Sequence, residues 1–227
     1  MKIQPRGAAA LVAAVVAVAG CSSGNKALET APQPAPVIHG DPAAIANAKP
    51  DSTRFAFTEA DVHFMSGMIG HHAQAIRMSK LAPTRAASQS IKTLTARIIN
   101  AQQDEIALMS QWLRGHGQQV PEVTPMGVKM KMGGMEHDMA MPGMLTEAQM
   151  KQLEESTGNK FDELFLTFMI QHHQGALAMV KELFGTPGAG QDETTFKLAS
   201  DVNADQETEI ARMQKMLVSL KFEGRLP

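Results

Sequence analysis

The sequence predicts an all-α protein, a four-helix bundle built from two duplicated helical hairpins. Long stretches carry apolar residues at the spacing of an amphipathic helix. No segment is read as alternating with the period of two that a half-buried strand shows. A series of residues in one predicted helix also recurs, in order and without a gap, in a later one. Two hairpins joined by a long crossover fit a bundle with pseudo-twofold symmetry, in which each hairpin buries its apolar stripe against the other.

The repeat covers both helices of each hairpin. In the first helices Asp61, Phe64, Met68, Ile69, His71, His72, Ala75, Met78 and Lys80 recur as Asp162, Phe165, Met169, Ile170, His172, His173, Ala176, Met179 and Lys181. In the second helices Gln102, Glu105, Ile106 and Met109 recur as Gln206, Glu209, Ile210 and Met213. The two histidine-bearing helices are therefore expected to face related positions in one core.

The first hairpin is predicted over residues 58–115. Its first helix begins at Thr58, with Asp61 as the capping-box partner three residues on, and extends to about Leu81. Its second helix, over about 86–115, carries apolar residues at a core-facing period and ends at a glycine. These two helices form one antiparallel unit.

The second hairpin is predicted over residues 146–222. It is preceded by a Met-rich linker, 116–145, in which no helical or strand period is recognised. A short extra helix over about 146–156 comes before the third long helix of the bundle, over about 159–184. The last helix spans about 193–220.

The N-terminal residues are predicted to direct export. Residues 1–20 have the positive start, the apolar run and the small residues of a signal peptide, and Cys21 follows where a bacterial lipoprotein precursor is cut. Cys21 is then lipidated and anchors the chain to the cell envelope; the alternative is a non-lipidated secretory signal with an incidental cysteine. Residues 21–54 are rich in Ala and Pro and predict a flexible tether, which leaves 55–222 as the bundle domain.

Composition argues against nucleic acid and in favour of soft sulfur ligands. The formal net charge is -2 and aromatic residues make up 4% of the chain, so neither a phosphate-binding basic excess nor a base-stacking surface is expected. The chain has 17 methionines and one cysteine. Soft sulfur is therefore supplied by thioethers.

The repeated His-His pairs are the candidate metal ligands. Side chains of adjacent helical residues diverge, so one histidine of each pair is expected in a shared site, and the other in a second site or a hydrogen bond. The predicted metal ligands are His71, His72, His172, His173, Met68, Met78, Met169 and Met179. Their predicted supporting residues, which would orient the imidazoles or add a soft ligand, are Gln102, Glu105, Met109, Gln206, Glu209 and Met213. The alternative is that the methionines fill the core and the histidines are structural.

The residues three positions before the first histidine of each pair favour a soft ion. Di-iron bundles place a glutamate there, in a Glu-x-x-His pair. Here the corresponding residues are Met68 and Met169, and a thioether suits Cu(I) or Ag(I) better than iron. His63 and His116 have no counterpart in the repeat and are predicted to be surface residues.

The linker predicts a second, weaker metal-binding segment. Its candidate ligands are Met126, Met130, Met132, Met135, His137, Met139, Met141 and Met144. Almost no other apolar residues accompany them, so the segment is not expected to be core, and thioethers can bind Cu(I) outside the cytoplasm, where thiols would oxidise. The alternative is a linker that merely tolerates methionine.

The doubled motif resembles a known bacterial family. The stretches 64–72 and 168–173, with Met-Pro-Gly-Met-Leu-Thr at 141–146 between them, are similar to the domain of unknown function 305 family. The resemblance covers about residues 55–220. It implies a ferritin-like helical bundle, export, and an association with copper or silver through the paired histidines and Met78 and Met179.

Three functions remain open on the sequence. The first is an exported, lipid-anchored protein, not an enzyme, that sequesters copper as Cu(I), or Ag(I), or transfers it to a metal-exchange partner. The second is a ferritin-like metal-dependent oxidoreductase. The third is an interaction module whose histidine pairs are structural. No nucleophile motif, phosphate-binding glycine loop or cysteine zinc pattern supports hydrolysis.

Overall fold

The computed structural model describes residues 56–124, 127–132, 135–139 and 141–223. The predicted signal peptide 1–20, Cys21 and the tether 21–54 lie outside the described residues. Within the described ranges, no helix is both long enough and apolar enough to cross a membrane.

Four long helices form the bundle, which confirms the predicted helical fold. The helices are α1 (Glu59–Ser79), α2 (Ala82–Arg85), α3 (Gln89–Gly115), α4 (Glu147–Glu155), α5 (Gly158–Gly185) and α6 (Glu193–Glu223), and three strands, β1 (Glu122–Thr124), β2 (Gly127–Met132) and β3 (Met135–Met139), lie between α3 and α4. Helix α1 packs against α3 and α5 packs against α6, so each hairpin is a contiguous unit. Contacts between α1 and α5 join the two hairpins.

The helix starts follow from local capping chemistry. At α1 the Thr58 hydroxyl accepts from the Asp61 N–H, and the Asp61 carboxylate accepts from the Thr58 N–H at 2.7 Å. Thr146 and Gln149 form the same capping box at α4. Helix α1 ends at Ser79, two residues before the predicted end, and Pro83 lies in the first turn of α2, where its missing N–H costs no intrahelical bond.

The prediction that the linker has no strand period is wrong. Strands β1, β2 and β3 form an antiparallel sheet in that order. The β2–β3 register pairs Met130 with His137 and Met132 with Met135, while Lys129 pairs with Asp138. The alternation of Lys with Val or Met along β2 is the strand pattern that was missed.

The linker lies directly on the two histidine-bearing helices, at positions where only glycine fits. A Cβ on Gly70 of α1 would be 2.5 Å from Val128 of β2, and a Cβ on Gly175 of α5 would be 1.9 Å from the carbonyl oxygen of Pro142. Val128 is fully buried there. The absence of side chains at Gly70 and Gly175 therefore lets the linker backbone pack next to the histidine pairs.

Gly175→Ala is expected to destabilise the protein by about 1–3 kcal/mol, because the new methyl group overlaps the Pro142 carbonyl and forces the linker away from α5. Urea unfolding measures this loss. Gly115→Ala is the matched control, because a Cβ there meets nothing within 4 Å. Equal stability of the two variants would contradict the close packing described for Gly175.

The repeated aspartates join the hairpins to each other. Asp61 of the first hairpin accepts from the Gly190 N–H before α6 at 2.7 Å, and Asp162 of the second accepts from the Ser88 N–H before α3 at 2.8 Å. Burial raises the pKa of the Asp162 carboxyl, although backbone hydrogen bonds from Ser88 and Ala87 partly offset this effect. The duplication of these aspartates thus has a structural explanation.

Candidate metal centre

One histidine of each repeated pair meets its counterpart at the centre of the bundle. The rings of His71 on α1 and His172 on α5 lie with centroids 3.7 Å apart and planes inclined at 36°. Their exposed fractions are 1% and 0%. The structure therefore brings together side chains that are about a hundred positions apart in the sequence, through the symmetry of the repeat.

The other histidine of each pair turns away and donates to a glutamate. His72 Nε2 donates to Glu105 on α3 at 2.6 Å, and His173 Nε2 donates to Glu209 on α6 at 2.7 Å. Within each pair the ring centroids are more than 6 Å apart, at 6.4 and 6.3 Å. The hydrogen bonds fix the orientation of both outer imidazoles, as carboxylates do around metal-bound histidines.

All four histidines keep a buried ring nitrogen without a hydrogen-bond partner among the described residues. The Nδ1 atoms of His71, His72, His172 and His173 are in this state, and so is Nε2 of His172. His71 Nε2 donates to the Pro142 carbonyl at 3.0 Å, which leaves Nδ1 of that neutral ring as a bare lone pair. Burying a polar atom without a hydrogen-bond partner costs free energy. A bound cation would supply the missing partner for these nitrogens.

The central pair is held in its neutral form. Burial, followed by the charge of His72, lowers the pKa of His71 from 6.5 to about 3. Burial and the neighbouring His71 lower the pKa of His172 well below 6.5. A metal ligand must be deprotonated, and protons therefore compete little with a metal ion for these two rings at neutral pH.

Six buried methionines of the bundle helices form two sets related by the repeat. Met68, Met109 and Met179 belong to one buried cluster, and their repeat counterparts Met169, Met213 and Met78 belong to the other. Each cluster therefore takes methionines from both hairpins. All six are at most 5% exposed.

A small acidic cleft between α3 and α6 lies beside the outer histidines. Its volume is about 130 Å³, and Glu105, Glu209 and Asp205 line it together with Gln102 and Gln206. The Oε1 atoms of both glutamines are buried and have no partner in the described part of the chain. Burial and the charges of Glu105 and Glu209 raise the pKa of Asp205, which has an alanine at its repeat counterpart.

The linker methionines fall into two groups in the structure. Met141 is 5% exposed and belongs to the core cluster with Met68, so the expectation that the whole linker lies outside the core is wrong. Met144 is half-buried, and its sulfur accepts from the Met141 N–H at 3.4 Å. Five other predicted linker ligands lie in β2 or β3, where the structure describes their backbone only: Met130, Met132, Met135, His137 and Met139. Met126 lies outside the described residues.

His63 and His116, the two histidines predicted to lie on the surface, are both partly buried. His116 is half-buried, and its ring lies 4.2 Å from that of Trp112 and 4.6 Å from that of Phe57. His63 is half-buried and lines a separate pocket with Met141 and Met179. The repeat held no information on either residue, since neither has a histidine counterpart.

Across the described ranges, no group of three His, Cys, Asp or Glu side chains is placed to hold one ion. The candidate donors are therefore the two central imidazoles and the thioethers of Met68 and Met169, one helical turn before them on the same helices. The centroids of the His71 and His172 rings are 3.7 Å apart, so the nitrogens of both rings lie in one small region of the core.

Comparison with known proteins identifies a family for most of the described chain. The model of the family named domain of unknown function (DUF305) matches residues 61–217. A search of curated proteins gives no match. Among solved structures, a DUF305 protein from Streptomyces coelicolor, described as secreted, is 28% identical with a TM-score of 0.60, covering 71% of this chain and 94% of that one. A DUF305 fragment from Deinococcus radiodurans is 26% identical with a TM-score of 0.59, covering 75% and 99%.

A metal-bound protein is also similar to this chain. CopM in its Cu(I)-bound form is 27% identical with a TM-score of 0.53, and the match covers 70% of this chain and 96% of CopM. CopM has also been solved in Cu(II)-bound and Ag-bound forms.

Proposed function

The chain belongs to the DUF305 family, and we propose that it is an exported, lipid-anchored protein that binds Cu(I) or Ag(I) between the two hairpins, for sequestration or transfer, without catalysis. The central ligands are His71 and His172, with the thioethers of Met68 and Met169, each one helical turn before its histidine. The anchor is Cys21, and the partner that exchanges the ion is a second metal-binding protein.

The observation that carries the proposal is the state of the central histidines. Both rings are buried and neutral, and each keeps a ring nitrogen without a partner in the described structure. An imidazole nitrogen with a free lone pair, together with a thioether one helical turn away, suits a soft ion. Structural histidines would instead be expected to have both nitrogens satisfied.

Further support comes from the surroundings of the site and from the comparison. Glu105 and Glu209 orient the outer histidines, so the rings next to the central pair are fixed before any ion arrives. The similar protein CopM has been solved with Cu(I), Cu(II) and Ag. The soft character of the Met68 and Met169 thioethers favours the monovalent ions for this chain.

The double variant His71→Phe/His172→Phe is expected to weaken Cu(I) binding by at least about 10–100-fold, the loss that even outer partners of metal sites produce. Phenylalanine keeps an aromatic ring at each position and removes the nitrogens. The measurement is an anaerobic titration of the full chain against a Cu(I) chelator, repeated with Ag(I). His116→Phe, which changes a half-buried histidine outside the centre, should leave the affinity unchanged.

An unchanged Cu(I) affinity in the double variant would overturn the central site. A loss of binding only when the methionines of β2 and β3 are replaced by leucine would move the site to the linker. Circular dichroism and urea unfolding of each variant verify that the bundle remains folded.

One observation favours a second candidate, a ferritin-like metal-dependent oxidoreductase. The cleft between α3 and α6 presents Glu105, Glu209 and the partnerless amide oxygens of Gln102 and Gln206, and oxygen donors suit a harder ion. This function predicts that the purified protein contains stoichiometric iron or manganese and reacts with oxygen. Metal analysis of the protein as isolated therefore decides between the two functions.

A further inference from the structure

A pocket of about 170 Å³ opens between α1 and α5, on the side where Met141 of the linker packs. Two thioethers line it, those of Met141 and Met179, together with the half-buried imidazole of His63 and the exposed side chain of Glu182. Both methionines are 5% exposed, so they are almost buried but reachable through the pocket. A nitrogen donor, two soft sulfur donors and one carboxylate thus share a single small cavity.

The repeat is broken at residues that form the pocket. The first hairpin has Gly67 where the second has Phe168, and His63 where the second has Leu164. Phe168 and Leu164 are both 8% exposed and pack in the other core cluster. The second half therefore fills with apolar side chains the positions that the first half leaves open or polar.

Gly67 makes the room that Met141 uses. A Cβ on Gly67 would lie 2.7 Å from the sulfur of Met141 and 3.3 Å from the terminal methyl of Met179. Both thioether ends therefore occupy space that a side chain at position 67 would need. The carboxylate has the same asymmetry, since Leu81 is the repeat counterpart of Glu182.

The pocket also shares a residue with the surroundings of the central histidines. Met141 and Met179 belong to the same core cluster as Met68, which lies one helical turn before His71. The next linker residue, Pro142, lines the pocket and accepts the hydrogen bond from His71 Nε2. Pro142 therefore belongs both to the wall of the pocket and to the surroundings of a central histidine.

We propose that this pocket is a second soft-cation site, which binds Cu(I) or Ag(I) through His63, Met141 and Met179 and passes the ion to the centre. Glu182 lies at the mouth and supplies a negative charge that attracts the cation. Three donors of this kind match the preference of a soft monovalent ion for imidazole and thioether. The passage to the centre rests on the proposed function, whereas the site in the pocket does not.

The test uses the full chain labelled with carbon-13 in its methionine methyl groups, titrated anaerobically with Ag(I) and followed by NMR. The methyl signals of Met141 and Met179 are expected to shift with the first equivalents of Ag(I). His63→Leu, which installs the residue of the second hairpin, should reduce the affinity reported by those two signals by at least about tenfold. His116→Leu is the matched control and should leave them as in the unchanged chain.

Stopped-flow transfer of Ag(I) from a weak chelator tests the passage inward. His63→Leu should slow the loading of the centre at least about tenfold while leaving its equilibrium affinity unchanged. Unshifted Met141 and Met179 signals, or signals that respond equally in His63→Leu, would overturn the site. If those signals shift as expected but the His71→Phe/His172→Phe variant keeps its total Ag(I) affinity, the pocket site stands and the central site fails.

Discussion

Replacing Glu105 by leucine is expected to destabilise the protein by about 2–4 kcal/mol, and Glu209→Leu should cost a similar amount. Each change removes the acceptor of a hydrogen bond from a fully buried histidine, at 2.6 Å for His72 and 2.7 Å for His173. The imidazole N–H then has neither water nor a protein acceptor. Urea unfolding of the metal-free protein measures the loss.

Two controls separate this effect from a general loss of charge. Glu105→Gln keeps an oxygen acceptor for His72 and should cost only about 1 kcal/mol. Glu163→Leu removes an exposed glutamate, 3.4 Å from Lys160, and should change the stability by less than about 0.5 kcal/mol. If Glu105→Leu is as stable as Glu163→Leu, the carboxylates do not support the outer histidines.

The duplication made the centre of the molecule predictable. Residues at equivalent places of two hairpins are expected at symmetry-related places in one bundle, so the repeat alone predicted that the histidine-bearing helices face related positions in one core. The divergence of adjacent helical side chains then predicted that His71 and His72 would have different surroundings. The structure shows that His71 is the central histidine of its pair. Its Nε2 donates to the linker carbonyl of Pro142.

The features that break the repeat were the ones missed. The β2 sequence alternates Val128, Met130 and Met132 with Lys129 and Lys131, a strand pattern that the abundance of methionine obscured. The pocket at His63 lies where the two hairpins differ, since the second hairpin has Leu164 and Phe168 at the places of His63 and Gly67. The pocket also needs Met141 from the linker. That contact depends on tertiary packing, since Met141 has no counterpart in the repeat.

The metal-free protein is expected to lose stability steeply as the pH falls from about 6.5 towards 4. The folded pKa of His71 is about 3, against 6.5 for the unfolded chain. Between these values the unfolded chain carries a proton that the folded chain excludes, so stability rises with pH by about 1.4 kcal/mol per pH unit from this residue. His172 acts in the same direction, because its pKa is also lowered.

The decisive measurement is the difference in this pH dependence between the unchanged protein and His71→Phe/His172→Phe, both metal-free. The double variant should be the more stable of the two at pH 4.5, and the difference should shrink as the pH rises to 7. The raised pKa of Asp162 acts in the opposite sense, since the folded state then holds the extra proton, but it is common to both proteins and cancels in the difference.

A pH-independent difference would mean that the central rings take up protons in the folded state as readily as in the unfolded chain. They would then lack the buried, neutral character that makes them soft-metal ligands. Gly115→Ala, whose Cβ meets nothing within 4 Å, should keep the pH dependence of the unchanged protein. The unfolding curves of the metal-free proteins therefore test whether His71 and His172 are neutral in the folded state. Copper binding at the centre depends on that neutral state.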